Sequence, residues 1–382
     1  MGKTIGYRLF ALLYNLCKLL PIKKKQVLCV MTHDDGEGGN VSLAVKALKE
    51  EGAGYSFYYI RKKDIEDGKG HHGLKGILSF YLKKPCQLAR ARIILMDNIF
   101  LPMAYLKRRK QAKVIQLWHG TGTIKKFGQH VNTGRLKELE QRANSNITHL
   151  IVNSEETGKL YASVFGISED KGYPIGLPKT DELIRRLKEA ERLGVCRDKE
   201  IIYRKYNLPA DAKLILYAPT FRDHDLKGTT ILSQLEELQK GLPENYYLGL
   251  RLHPFIAEAC KGAGLPARVC QMSYESDLNS LLMAADLLIS DYSSVIFEYC
   301  LTGRPMVFFA YDLREFSNQG RGFYYDYKSY VPGPVTATAK ETAAVIKEQS
   351  FDMDRIRAFR DRNYSHLDGR ATDRLLKLIM TP

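Results

Sequence analysis

From residue 26 to residue 310 the chain repeatedly sets a short, unbroken apolar run ahead of a longer segment with helical spacing. QVLCVM, YSFYYI, RIILMD, KVIQLW and HLIVNS come first; LILYAP, YYLGLRL, DLLIS and PMVFFA follow. A strand with one face in water alternates polar and apolar residues, and these runs do not, so both their faces must be covered. Helices between the strands supply the cover, which gives parallel sheets in an α/β protein. Asn40 is placed to cap VSLAVKALKEEG, and helices are expected from about Glu155 to Val164, Ile231 to Gly241, Asp277 to Ala285 and Val295 to Leu301.

The series restarts after the charged helical stretch Thr180 to Arg192, and 382 residues exceed one ordinary core. We expect two Rossmann-like domains, 25–194 and 195–355, preceded by a helix within 1–24 and followed by C-terminal helices in 356–382 that return toward a central cleft. Hydrophobic residues at 45% and charged residues at 26%, with no low-complexity tract, suit a folded chain. The net charge of +15 favours polyanions, anionic lipid or phosphorylated ligands. Zinc-finger spacing, an RNP-like aromatic stretch and a basic zipper are all missing, so nucleic acid is not expected as a partner. Seven cysteines without C-x-x-C pairing point to reduced thiols, not to a disulfide framework or a structural zinc site.

The opening GYRLFALLYNLCKLLPIKKK is too short to span a bilayer: its longest uncharged stretch, Leu9 to Cys17, has nine residues, against the roughly 20 a span needs. No small-residue cleavage site follows it. On a helix, Thr4, Arg8, Ala11, Asn15 and Lys18 form a narrow polar stripe, and Leu9, Leu12, Leu13, Leu16, Leu19 and Leu20 cover the remainder. Two readings stand: a helix lying in an anionic membrane surface, or an ordinary helix packed on the first domain.

In parallel sheets ligands bind beyond the carboxyl ends of the strands. Four apolar runs end in His119-Gly120-Thr121-Gly122-Thr123, Pro219-Thr220-Phe221-Arg222, Arg251-Leu252-His253-Pro254 and Ser290-Asp291-Tyr292-Ser293-Ser294. Together these hydroxyls, cations, glycines and histidines describe a phosphate-rich cleft. Ser293 and Ser294 stand where a helix begins, either as an anion site or as a routine cap, and Glu298 lies one turn on, where a carboxylate can accept ribose hydroxyls. Arg251 and His253, two residues apart on a strand, face one way and suit a phosphoryl group. Thr220 and Arg222 suit the same task, or Arg222 pairs at the surface with Asp223 or Asp225. His119 has the ordinary pKa for taking a proton from an alcohol near neutrality, and Gly120 and Gly122 let a ligand approach the backbone.

Rival chemistries lack their parts. No G-x-S-x-G accompanies HGTG, and there is neither a P-loop nor a G-x-G-x-x-G after a strand. Asp223-His224-Asp225, Asp352-Met353-Asp354 and the group His33, Asp34, Asp35 and Glu37 read as solvated surface or turn residues, so no metal or other obligatory cofactor is expected.

WHGTG, YAPTFRD, LRLHP, ISDYSSVIFEYCLTGRP and HLDGRATDR, in this order, resemble the CDP-glycerol glycerophosphotransferases of wall teichoic acid synthesis over roughly residues 26 to 378. The short N-terminal lead is most similar to the members that prime the polymer. The resemblance implies a GT-B-like fold, CDP-glycerol as donor, and an undecaprenyl-diphosphate-linked ManNAc-GlcNAc disaccharide as acceptor. It implies His119 as base, His253 with Arg251 facing the donor phosphates, and Ser293, Ser294 and Glu298 as nucleotide ligands. Asp368 and Arg374, in DGRATDR, are implied near the site, with Arg374 reaching a phosphate. Family polymerases often carry proline after HGT, where Gly122 stands here. The implied location is the cytoplasmic face of a bacterial membrane, with other teichoic acid enzymes as partners.

Overall fold

The computed structural model describes all residues except 1, 34, 35, 69–72, 221, 223–228, 260–263, 320 and 382. It divides into two compact units: residues 1–121, 127–181 and 364–382, and residues 122–126 and 182–363. The principal crossing falls between Asp181 and Glu182, inside the helix Pro178–Leu193, and not near residue 195.

The first unit holds a six-stranded parallel sheet of β1 (Lys23–Met31), β2 (Ser56–Arg61), β3 (Ala91–Met96), β4 (Lys113–Gln116), β5 (His149–Ile151) and β6 (Gly172–Tyr173), in the order β2-β1-β3-β4-β5-β6. Successive residues of a strand point to opposite faces, so an unbroken apolar run feeds two cores. Leu28 and Val30 of β1 pack with Phe10, Tyr14, Ile94 and Phe165 on one side. Val27, Cys29 and Met31 pack with Val41, Leu48, Leu375 and Ile379 on the other. The last helix, Ala371–Met380, is therefore part of this unit, beside Asn40–Glu50, whereas Met353–Asn363 belongs to the second.

The N-terminal helix, Gly2–Cys17, packs on the first unit through part of its surface. Phe10 is 0% exposed, its ring 5.5 Å from both Phe80 and Phe100. Ala11, expected in a polar stripe, is buried beside it. Leu9, Leu12 and Leu16 remain exposed, Leu12 at 58%. The neighbouring helix Gly73–Arg90 contributes Phe80 to the core and leaves Leu74, Leu78 and Leu82 exposed. No helix among the described residues is long and apolar enough to cross a membrane.

The second unit repeats the design with β7 (Lys213–Ala218), β8 (Tyr246–Leu250), β9 (Val269–Gln271), β10 (Leu287–Ser290), β11 (Met306–Phe309) and β12 (Val335–Thr336), ordered β12-β11-β10-β7-β8-β9 and all parallel. Ile215, Tyr217, Leu248, Leu250, Ile289 and Val307 share one core layer with Leu235, Leu238 and Ile346 from the helices. In both sheets the central strands deliver the residues that follow them with little positional freedom.

Candidate functional site

In the first unit, β4 ends at Gln116, and Trp118 turns the chain with a φ of 53°, a left-handed conformation that costs a bulky residue about 1–3 kcal/mol. The neighbours hold it there. The Trp118 amide donates to Gln116 Oε1 at 3.0 Å, and its carbonyl accepts from Asn40 Nδ2 at 3.0 Å. Asn40 Oδ1 in turn accepts from the Lys179 amide at 3.0 Å. The indole stacks on Phe127 and meets Phe165 edge-on.

The turn presents His119. Its Nδ1 is 3.0 Å from the Asp97 carbonyl, and because a carbonyl only accepts, Nδ1 carries the hydrogen and Nε2 keeps its lone pair. The ring lies 4.0 Å from that of Trp118 and is stacked on His33 at 3.5 Å with 5° between planes. Burial first, then His33 and Lys179, pull its pKa down to about 4, against the opposing pull of the Asp97 carbonyl. Asp97 also binds the amides of Thr32 and His33 through its carboxylate, at 3.0 and 3.4 Å. Tyr161 Oη donates to the Gly120 carbonyl at 3.3 Å and Asn153 Nδ2 to that of Thr121 at 3.4 Å, so the loop is clamped on its backbone.

The C-terminal segment reaches the same unit. The Ser365 amide donates to the Asn153 carbonyl at 2.8 Å, and the Asp181 carboxylate binds the amides of Ala371 and Thr372 at 2.9 and 2.6 Å. Arg374, expected as a phosphate ligand, instead engages both oxygens of Asp368, at 2.8 and 3.1 Å, and the Ile175 carbonyl at 2.8 Å. A guanidinium so occupied fixes the segment. The same ion pair holds the Asp368 carboxyl low, at about 2.

In the second unit, residues 122–126 lie along 322–324, with the Lys126 amide donating to the Gly322 carbonyl and the Tyr324 amide to that of Ile124, each at 3.0 Å. Thr123 Oγ1 donates to the Lys125 carbonyl at 2.7 Å, so this hydroxyl shapes the turn. Lys125 is desolvated, which lowers its pKa; Asp291 opposes that shift, and Arg321 and Arg222 add to it. Gly122 is required by packing: a Cβ there would stand 2.4 Å from the Phe297 ring. Gly122→Ala should cost about 1–3 kcal/mol in urea unfolding, the usual result of overpacking, and an unchanged midpoint would show that the ring moves freely.

The ends of β7 and β10 meet in a buried brace. Arg222 binds Asp312 through Nε at 2.6 Å and Nη2 at 2.8 Å, and Nη2 also meets Asp291 at 2.9 Å. The rings of Tyr292, Phe316 and Tyr311 surround the guanidinium. Asp291 accepts the Thr220 amide at 2.8 Å, Tyr292 Oη donates to Asp312 at 2.9 Å, and Ser290 Oγ donates to the Ala218 carbonyl at 2.8 Å. Arg222 is thus a buried structural cation whose partners are Asp291 and Asp312; the residues named as surface partners, Asp223 and Asp225, lie outside the described residues. The Thr220 hydroxyl is left without a hydrogen-bond partner among the described residues, at the end of a central strand.

β8 stops at Leu250, so the strand alternation expected to align Arg251 and His253 does not extend to either residue. Arg251 Nη1 donates to the carbonyls of Met272, Ser273 and Glu275, tying down the loop after β9. His253 is exposed, and its carbonyl accepts the amides of Ile256 and Ala257 at 2.9 Å. Ser293 and Ser294 precede a helix of only five residues, Val295–Tyr299. Ser294 makes no side-chain cap, Ser293 Oγ is 3.4 Å from the Val295 amide, and Glu298 is 5% exposed.

Among the described residues no group of three His, Cys, Asp or Glu gathers as a metal site; Asp34 and Asp35 lie outside them. Sequence reasoning overlooked Asp97, the His33 stack, Lys125 and Asp312. Asp97 alone had a signal, since it directly follows the apolar run of β3.

The model of the family described as CDP-Glycerol:Poly(glycerophosphate) glycerophosphotransferase matches residues 12–381. The chain is 31% identical to a teichoic acid poly(ribitol-phosphate) polymerase of Bacillus spizizenii, across 100% of this chain and 60% of that protein. It is 34% identical to a teichoic acid glycerol-phosphate primase of Bacillus subtilis, across 78% of this chain and 77% of the primase. Among solved structures, the wall teichoic acid polymerase TagF superposes with a TM-score of 0.77 at 25% identity, covering 99% of this chain and 94% of that one. The α/β, GT-B-like fold class expected from the sequence is that of this chain.

Proposed function

Because the chain belongs to the CDP-glycerol:poly(glycerophosphate) glycerophosphotransferase family, whose members act as phosphotransferases in teichoic acid synthesis, we propose that it moves glycerol phosphate from CDP-glycerol to an undecaprenyl-diphosphate-linked ManNAc-GlcNAc disaccharide, the priming step. The supporting observation is the His119 tautomer: Nδ1 donates to Asp97, which leaves Nε2 as a base at a strand end. An acceptor hydroxyl gives its proton to Nε2 as its oxygen bonds to phosphorus, and the phosphorus–oxygen bond to CMP breaks with its electron pair leaving on CMP. Such a transfer depends on positioning and charge neutralisation, for which the Thr220 hydroxyl, His253, Ser293, Ser294 and Glu298 are the donor-side candidates.

Donor competition tests the reading. CDP-glycerol should raise the unfolding temperature more than CDP-ribitol, and both more than a UDP-sugar. Greater protection by CDP-ribitol would move the chain to the ribitol-phosphate enzymes, which the similarity to the poly(ribitol-phosphate) polymerase makes the second reading.

We place the protein at the cytoplasmic face of the membrane as a peripheral enzyme. Support comes from the adjoining exposed leucines of Gly2–Cys17 and Gly73–Arg90, flanked by exposed Arg8, Lys23, Lys24, Lys25, Lys75 and Lys83. Leu12→Asp with Leu82→Asp should weaken binding to phosphatidylglycerol-containing vesicles about tenfold or more without lowering the unfolding temperature, both side chains being largely in water. Undiminished sedimentation with vesicles would exclude this face.

A further inference from the structure

His33 belongs to none of the strand-end motifs, yet its ring lies parallel to that of His119, 3.5 Å away and tilted by only 5°. Trp118 lies against the same imidazole at 4.0 Å. Asp97 organises both histidines: its carbonyl fixes Nδ1 of His119, and its carboxylate accepts the amides of Thr32 and His33. The loop that carries His33 is therefore anchored by the residue that sets the tautomer of His119.

We propose that His33 is a positioning residue for the transfer, stacked on the His119 imidazole so that Nε2 stays aimed and unprotonated when the acceptor hydroxyl gives up its proton. The assignment rests on the reading of His119 as the base. Stacking removes water from one face of the ring and restricts its rotation about χ2. It also places a second imidazole face to face with the first, and His33 is among the groups that disfavour a proton on His119. The remaining charged group that depresses His119 is Lys179; the Asp97 carbonyl acts in the opposite direction. The Asp97 carboxylate is directed at backbone amides, and Asp34 and Asp35 lie outside the described residues.

The test compares the full chain with His33→Phe and His33→Ala, by ¹³Cε1 histidine NMR titration and by the pH profile of kcat/KM. His33 is exposed, so both variants should fold, which the same spectra report. The His119 resonance should titrate about one pH unit higher in His33→Ala than in the unsubstituted chain, with His33→Phe, a stacking ring without charge, in between. The acid limb of kcat/KM should rise by the same amount. A His119 resonance that titrates at the same pH in all three proteins overturns the proposal. A resonance that moves while the rate profile stays still overturns instead the reading of His119 as the base.

Discussion

His119→Asn should lower kcat by about 10²- to 10⁴-fold, the usual contribution of a positioned general base, while the unfolding temperature changes by no more than a few degrees. Asparagine preserves a donor toward the Asp97 carbonyl but has no group able to accept the hydroxyl proton. The pH dependence follows from the environment. Burial, His33 and Lys179 hold His119 down to about 4, so the neutral, proton-accepting form exists above that value and is lost as the pH falls through it. The acid limb of kcat/KM assigned to this residue should lie well below the ordinary histidine value of about 6.5. A variant with wild-type turnover would remove His119 from the mechanism.

Arg222→Ala should destabilise the second unit by about 3–5 kcal/mol in urea unfolding. The guanidinium is the only cation ion-paired to Asp291 and Asp312 among the described residues, and all three side chains are buried. Removing it leaves two carboxylates uncompensated where water does not reach. Arg222→Lys should recover only part of the loss, because an ammonium cannot reproduce the planar fork that meets Asp312 through two nitrogens. A loss below about 1 kcal/mol for alanine would mean that the brace relaxes or hydrates, contrary to its role here.

The α/β class was legible because a doubly covered strand needs an unbroken apolar run, and nine such runs coincide with strands of the two sheets or their immediate ends. The strands left unread, β6, β9 and β12, are two or three residues long and, unlike the equally short β5 within HLIVNS, lie in no longer apolar run. The N-terminal helix was half legible. Its leucines were recognised as an unusual face, but the aromatic residues Phe10 and Tyr14, at helical spacing between them, are what dock it.

For the site, strand ends single out candidate residues but do not say what each side chain touches. A cation after a strand looks the same in sequence whether it awaits a ligand or pairs with a carboxylate 90 residues away, as Arg222 does with Asp312. Arg251 and Arg374 show the same ambiguity, resolved only when the carbonyls of 272–275 and of Ile175 are located. The stack of His33 on His119 joins two loops that follow different strands, and no local spacing encodes it.

The most direct measurement incubates the purified chain with CDP-glycerol and the lipid-linked disaccharide, follows CMP, and weighs the lipid product by mass spectrometry. One CMP should appear for each lipid, and the product should be heavier by a single glycerol phosphate. If folded protein that binds CDP-glycerol releases no CMP, or the lipid mass does not change, the assigned reaction is wrong.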